Sequence, residues 1–409
     1  RVWRIRRPAP DPREVDALAE RLRAARAPLL IAGGGVLYSG AEAALAALAE
    51  RVGVPVGETQ AGRGAMAAGH PMALGGIGVT GTSAANAAAA RADLVIGVGA
   101  RLMDFTTGSR ALFAPTAELA QINVSAYDAA KQGALSVVGD ARAVLEALAG
   151  RLAGHTPPAA WPRAIGQWKS AWNADWDAAT QPPSGNALPS DAQVIGAVWR
   201  ASDENAVVVC AAGGLPGELH RLWRPRASGD YHLEYGFSCM GYEIAGGLGV
   251  KMADPAREVV VMLGDGSYLM LNSEIATSVM LGLKLTIVVL DNGGFGCINR
   301  LQQAVGSEPF NNLFADARHE TLPAIDFAAH AASLGALSET VDGVAGLEAA
   351  MVRARAAERT YVIVIATDPA QSTEAGGAWW DVAVPEISKR TAVARARKAY
   401  DANRKARVR

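Results

Sequence analysis

Asp265 stands between two glycines in the run Gly264-Asp265-Gly266-Ser267, and Asn292 follows twenty-seven residues later in Asp291-Asn292-Gly293-Gly294. A carboxylate, an amide oxygen and a nearby backbone carbonyl make a hard-oxygen ligand set. Mg²⁺ prefers such ligands in octahedral array and keeps positions for phosphate oxygens. The flanking glycines let the backbone approach a diphosphate closely, and a helix beginning near Ser267 would turn its positive end toward it. These residue types therefore point to magnesium plus diphosphate. A lone Gly-Asp-Gly is a common turn; Asn292 after an intervening helix and strand makes the functional reading the better one.

Such a pair needs two strand ends side by side. Residues 258–263 (EVVVML) read as a buried strand ending at Leu263, and 285–290 (LTIVVL) as a second ending at Leu290. If these strands are neighbours, their ends lie about 5 Å apart, on the edge where open α/β sheets bind ligands. Residues 206–210 and 361–366 are further continuous apolar runs, as expected of strands covered by helices on both faces. A helix over 191–201 opens this half, with Val194, Ile195, Val198 and Trp199 on one face.

The first half repeats the pattern. Asp11 is placed to cap a helix with Pro12 at its first position and Glu14 three residues after the cap, followed by Val15, Leu18 and Leu22 on one face. Strands are expected in 28–35, 92–101 and 120–125, with helices after Gly40 and over 139–152. Alternating strands and amphipathic helices predict an α/β chain of two doubly wound domains with mainly parallel sheets. The expected divisions are 1–154 and 191–370, a connector over 155–190, and a Gly-rich then charged, helical tail over 371–409. Within the connector, Trp168, Trp172 and Trp176 recur every fourth residue and predict a helix face packed on a neighbouring domain rather than a ligand-stacking surface.

Composition excludes several classes. Of 409 residues, 50% are hydrophobic and 19% charged, with a formal net charge of −1, so a folded globular protein is expected. No basic block suggests nucleic acid, and the Arg-rich ends read as solvated. Cys210, Cys239 and Cys297 show no Cys-x-x-Cys spacing, which argues against a zinc site or disulfide framework and fits a reducing, cytoplasmic setting. The longest apolar runs are too short for a bilayer, and no secretory leader is evident. The linker-like start at Arg1 leads to the expectation that something lies upstream.

GDGS followed by DNGGFG resembles the signature of thiamine diphosphate enzymes of the acetohydroxyacid synthase type. That resemblance implies magnesium ligands at Asp265, Asn292 and the Gly294 carbonyl. It implies cofactor contacts at Gly213, Gly214, Leu215, Met240, Gly264, Asp265, Gly266, Ser267, Asn292 and Gly294. Asp291 replaces an asparagine common in relatives, but the ligand in the family is the second residue of the pair. Met240, which by itself reads as core filling, matches the apolar wedge beneath the folded cofactor. The segments YHLEYGFSCMGYEIAGGLG, AAGGLPGELHRLW, GFGCIN, GGAWWDVAVPEIS, ETQAGRG, LGGIGVTGT and DFTTGSR are similar to one branch of the family across nearly all of residues 1–390. Members of that branch hydrolyse a carbon–carbon bond in a cyclic 1,2-diketone of inositol catabolism, opening trihydroxycyclohexanedione to 5-deoxyglucuronate. The implied chemistry is covalent catalysis at the cofactor's thiazolium, with the ring as electron sink. The first domain would be the family's central scaffold domain. The family's pyrimidine-binding domain, with the glutamate that activates the cofactor, is not recognisable here. A fragment, or a subunit of a homo-oligomer completed by that domain, is expected. No membrane or nucleic-acid partner is expected. A 2-oxoacid carboligase and a non-catalytic truncated scaffold stay open as alternatives.

Some residues carry weaker signals. His232 and Glu234 could transfer protons or simply make structural hydrogen bonds. Cys239 and Cys297 are expected to be buried and to pack. Gly33-Gly34-Gly35 and Gly97-Val98-Gly99 invite a dinucleotide reading, but Arg101 and Leu102 stand where GxGxxG would finish. The first domain is thus expected to be a scaffold.

Overall fold

The computed structural model describes residues 6–155, 160–185 and 187–406. The first five residues of the Arg-rich opening, residues 156–159 and Asn186 of the connector, and the last three residues lie outside it. Two six-stranded parallel sheets carry the chain. The first contains β1 (Pro28–Ala32), β2 (Val56–Glu58), β3 (Ala73–Gly76), β4 (Leu94–Val98), β5 (Glu118–Asn123) and β6 (Leu135–Val138), in the order β3-β2-β1-β4-β5-β6. The second contains β7 (Val207–Cys210), β8 (Tyr231–Leu233), β9 (Val259–Gly264), β10 (Thr286–Asp291), β11 (Leu337–Val341) and β12 (Tyr361–Ala366), in the order β11-β12-β10-β9-β7-β8. Helices alternate with the strands, so the fold is α/β and doubly wound, with both sheets parallel throughout.

Successive strand side chains point to opposite faces, and the core divides accordingly. Leu30 and Ala32 of β1 enter the outer core of the first sheet, and Val207 and Val209 of β7 the outer core of the second. Leu29, Ile31, Val208 and Cys210 face inward, into one core shared by both sheets. The helix Ala160–Ala179 completes this shared core with buried Trp161, Ile165, Trp172 and Trp176. Trp161 Nε1 donates to the Pro28 carbonyl at 2.9 Å, and Trp176 Nε1 donates to the Leu222 carbonyl at 2.7 Å. The indoles thus bolt one helix to β1 and to the helix Leu215–Leu222, and Trp168 meets Trp161 edge-on.

Some helix ends follow the local sequence signals and others depart from them. Asp11 accepts from the Arg13 N–H with Pro12 opening the helix. Glu14, however, accepts the Val138 N–H at 2.8 Å instead of closing a capping box. The helix expected from Ser267 onward begins at Asp265 and is broken in two, Asp265–Met270 and Glu274–Leu281. Leu271 turns extended, and the Asn272 side chain donates to the Tyr268 carbonyl at 3.0 Å, taking an acceptor the helix would have used. Among the described residues no helix is long and apolar enough to cross a membrane.

Candidate active site

β9 and β10 are neighbours, with Leu290 in register with Gly264, and β7 flanks β9 on the other side. The loops after all three strands therefore meet at one carboxyl edge. Asp265 is 3% exposed there. Its Oδ1 accepts the Gly266 N–H at 2.8 Å and its Oδ2 the Gly294 N–H at 2.8 Å, binding the two loops together. Burial raises its pKa to about 6; the two N–H donors act against this, and the neighbouring Asp291 carboxylate adds to it.

Asn292 follows β10 directly. Its Oδ1 is buried and has no hydrogen-bond partner among the described residues. Leaving a buried amide oxygen unpaired costs on the order of 1–3 kcal/mol, so the atom calls for a ligand. Gly294 has φ of +139°, and a Cβ there would lie 2.5 Å from the Asn312 carbonyl oxygen, so only glycine fits. The bonds Phe295 N–H to Asn312 O (2.7 Å) and Phe314 N–H to Gly293 O (2.9 Å) flank Gly294, and neither uses its carbonyl. One carboxylate, one orphaned amide oxygen and one carbonyl match the hard-oxygen donors that Mg²⁺ takes. Among the described residues no cluster of three or more His, Cys, Asp or Glu side chains is arranged for a metal.

Met240 lies against the same turn: a Cβ on Gly266 would be 3.5 Å from its Cε and 2.6 Å from Phe295 Cε1. What holds Met240 there escaped the sequence reading. Glu243, 1% exposed, accepts the Gly241 N–H at 2.9 Å through Oε2 and the Ser267 hydroxyl at 2.9 Å through Oε1. It joins the methionine loop to the Gly-Asp-Gly-Ser turn, and burial raises its pKa. An isolated glutamate in a helix opening gives no sequence signal of such a role.

Gly213 and Gly214 follow β7, and Gly214 precedes the helix Leu215–Leu222. Leu215 itself turns into the shared core, leaving only its backbone for a ligand. This helix is tied to the first sheet by buried polar groups. His220, fully buried, faces the Glu58 carbonyl at 2.9 Å with Nε2 and Thr80 Oγ1 at 2.9 Å with Nδ1. Gln60 donates to the Pro216 carbonyl at 3.2 Å, and the buried Arg63 pairs with Glu58 and donates to the Trp223 carbonyl. On its other side Glu218 accepts from Thr373 N–H at 3.2 Å and Oγ1 at 2.5 Å.

The weaker candidates have structural partners. Glu234 accepts the Phe237 N–H at 2.8 Å and the Cys239 N–H at 2.9 Å, shaping the loop that carries Met240. His232 Nε2 meets the Tyr242 hydroxyl at 2.7 Å, and burial lowers its pKa. Cys239 is exposed, contrary to expectation, because that loop lies on the surface; Cys297 is half-buried. In the first domain the glycines serve close packing: a Cβ on Gly33 would lie 2.2 Å from the Gly99 carbonyl oxygen. A cavity of about 280 Å³ lies beside them.

Residues 15–148 match the thiamine pyrophosphate enzyme central domain, and residues 211–365 match the C-terminal TPP binding domain of the same enzymes. The chain belongs to the thiamine pyrophosphate enzymes. The matched C-terminal domain contains every residue of the cluster around Asp265 and Asn292. Within this family the chain is 41% identical to the 3D-(3,5/4)-trihydroxycyclohexane-1,2-dione hydrolase of Geobacillus thermodenitrificans (strain NG80-2), over 96% of this chain and 65% of the relative. It is 40% identical to the protein of that name from Bacillus cereus (strain AH820), over 96% of this chain and 66% of the relative. The chain thus spans just under two thirds of the length of these curated relatives.

Proposed function

We propose that this chain is the scaffold and diphosphate-binding portion of a thiamine diphosphate-dependent hydrolase that cleaves a carbon–carbon bond in a cyclic 1,2-diketone. The substrate would be the trihydroxycyclohexanedione named for its relatives, opened to 5-deoxyglucuronate. The single observation that carries the cofactor half of this reading is the unpartnered, buried Asn292 Oδ1 beside Asp265 at the ends of two adjacent parallel strands. In the proposal Asp265, Asn292 and the Gly294 carbonyl hold Mg²⁺. The backbone around Gly213, Gly214, Leu215, Gly264, Gly266 and Ser267 receives the diphosphate, and Met240 supports the cofactor's fold. Bound thiamine diphosphate supplies the nucleophilic carbon and the electron sink for the cleavage. The protein's own residues bind, orient and shield; His232 and Glu234 are assigned structural hydrogen bonds rather than proton transfer.

Phe237, Met270 and Phe295 are 92%, 53% and 40% exposed around this edge. Clustered exposed apolar side chains mark interaction surfaces. This supports completion of the site by a pyrimidine-binding domain, from another segment or another subunit of a cytoplasmic homo-oligomer. Residues 1–154 and 191–370 are the proposed domain limits, joined by 155–190 and followed by the tail 371–409.

Calorimetric titration of thiamine diphosphate with Mg²⁺ and with EDTA, alongside Asp265→Ala, tests the cofactor half. Binding that needs both the metal and Asp265 is expected; binding indifferent to both would overturn the assignment. With a pyrimidine domain supplied, release of 5-deoxyglucuronate from the diketone is expected. Acetolactate formation from pyruvate instead would make the protein a carboligase.

A further inference from the structure

The carboxyl edge of the second sheet is rich in acid. Asp191, Glu218, Asp265 and Asp291 gather there, and Asp191, Glu218 and Asp265 are 6%, 7% and 3% exposed. An anionic diphosphate entering among these carboxylates gains from a fixed positive charge in addition to the proposed Mg²⁺. Arg300, on the helix Gly296–Ala304, is placed to provide it.

The guanidinium of Arg300 is anchored by one hydrogen bond and lies beside two glycines. Its Nη1 donates to the Pro369 carbonyl at 2.6 Å, beyond the end of β12. A Cβ on Gly296, at the start of its own helix, would lie 3.4 Å from the same nitrogen. Its Nη2 would be 2.7 Å from a Cβ on Gly214, so the glycine leaves room for the guanidinium against the loop that follows β7. Nη2 has no hydrogen-bond partner among the described residues, so one arm of a rigid fork is anchored and the other is free. Orphaned polar atoms gather nearby. Asn292 Oδ1, Asn299 Oδ1 and Thr367 Oγ1 are buried without partners, and the Thr367 N–H donates to the Asp291 carbonyl at 2.8 Å.

We infer that Arg300 is a further diphosphate-binding residue, its free Nη2 meeting the phosphate oxygens between the Gly214 loop and the Asn292–Gly296 loop while Pro369 holds Nη1. This deepens the thiamine diphosphate reading and rests on it. A planar fork with one fixed arm loses little entropy on meeting a phosphate, and charge-assisted bonds of this kind are the strong ones. The role is one of binding and charge balance; no proton moves.

The test is calorimetry of magnesium thiamine diphosphate and of magnesium pyrophosphate on the wild type, Arg300→Gln and Arg300→Lys. Lysine keeps the charge; glutamine removes it and, ending short of the Nη1 position, loses the bond to Pro369 as well. Glutamine is expected to weaken both ligands roughly tenfold, with lysine recovering most of the loss. A purely structural arginine would lower the melting temperature of Arg300→Gln and leave its affinities at the wild-type values, which overturns the inference. Wild-type protein that binds neither ligand in the presence of Mg²⁺ would defeat the underlying reading as well. Should Arg300→Gln not fold, phenylglyoxal labelling of the wild type decides. Protection of Arg300 by magnesium pyrophosphate supports the role, and equal labelling with and without it refutes the role.

Discussion

Asp265 Oδ2 accepts the Gly294 N–H at 2.8 Å, so a hydrogen bond joins the loop after β9 to the loop after β10. The aspartate is both a candidate ligand and the clasp between the loops. A metal entering there meets a preorganised pair and need not order two free segments.

Asp265→Ala is expected to leave the Gly266 and Gly294 N–H groups without their acceptor. A stability loss of about 1–3 kcal/mol should appear in urea denaturation, together with loss of magnesium-dependent cofactor binding. A variant as stable as the wild type would show that the clasp contributes nothing.

In the proposed site Met240 would support the cofactor's fold through apolar contact alone. Met240→Leu, similar in volume, should bind thiamine diphosphate nearly as well as the wild type. Met240→Ala is expected to weaken binding roughly tenfold, from about 1–2 kcal/mol of lost apolar contact. Equal affinity in both variants would remove the wedge role.

Two buried groups make stability depend on pH with opposite signs. Burial lowers the His220 pKa from 6.5 to about 3, with the Arg63 charge adding to it. The unfolded chain therefore binds the extra proton first, and stability present above pH 6.5 is lost as pH falls toward 3. Burial raises the Asp191 pKa from 3.8 to about 7, helped by the Glu218 charge, so stability present below 3.8 is lost as pH rises through 7. Melting temperatures measured across this range should show His220→Gln losing less stability on the acid side. Asp191→Asn should gain most at pH 8. The reverse pattern would contradict both signs.

Trp176→Phe keeps the ring in the shared core and deletes the donor to the Leu222 carbonyl. A cost of about 1–3 kcal/mol is expected from the buried acceptor left behind. Because Leu222 closes the helix that begins after Gly214, cofactor affinity should fall in parallel; an unchanged affinity would uncouple the tryptophan helix from the site.

Much of this site could be read before folding was considered. The position of Asp265 and Asn292 at adjacent strand ends was legible because β9 and β10 are continuous apolar runs with clear ends. The short strands β2, β3, β6, β8 and β11 were not. Ala73–Gly76 has too few residues and too much glycine to show a period, and β11 is largely exposed at an edge. The exposure of Cys239 was misjudged for a related reason: apolar neighbours in sequence do not bury a residue whose loop is held outward by Glu234.

The sequence by itself determined the α/β class and the placing of the candidate ligand set at strand ends, because strand, turn and candidate residues are encoded within one contiguous stretch of chain. Only the tertiary structure decided what steadies that set. Glu243 reaches Ser267 across 24 positions, Arg300 reaches Pro369 across 69, and His220 reaches Glu58 across 162. Such contacts follow from strand order and helix docking, which bring together groups whose types and spacing carry no mutual signal along the chain.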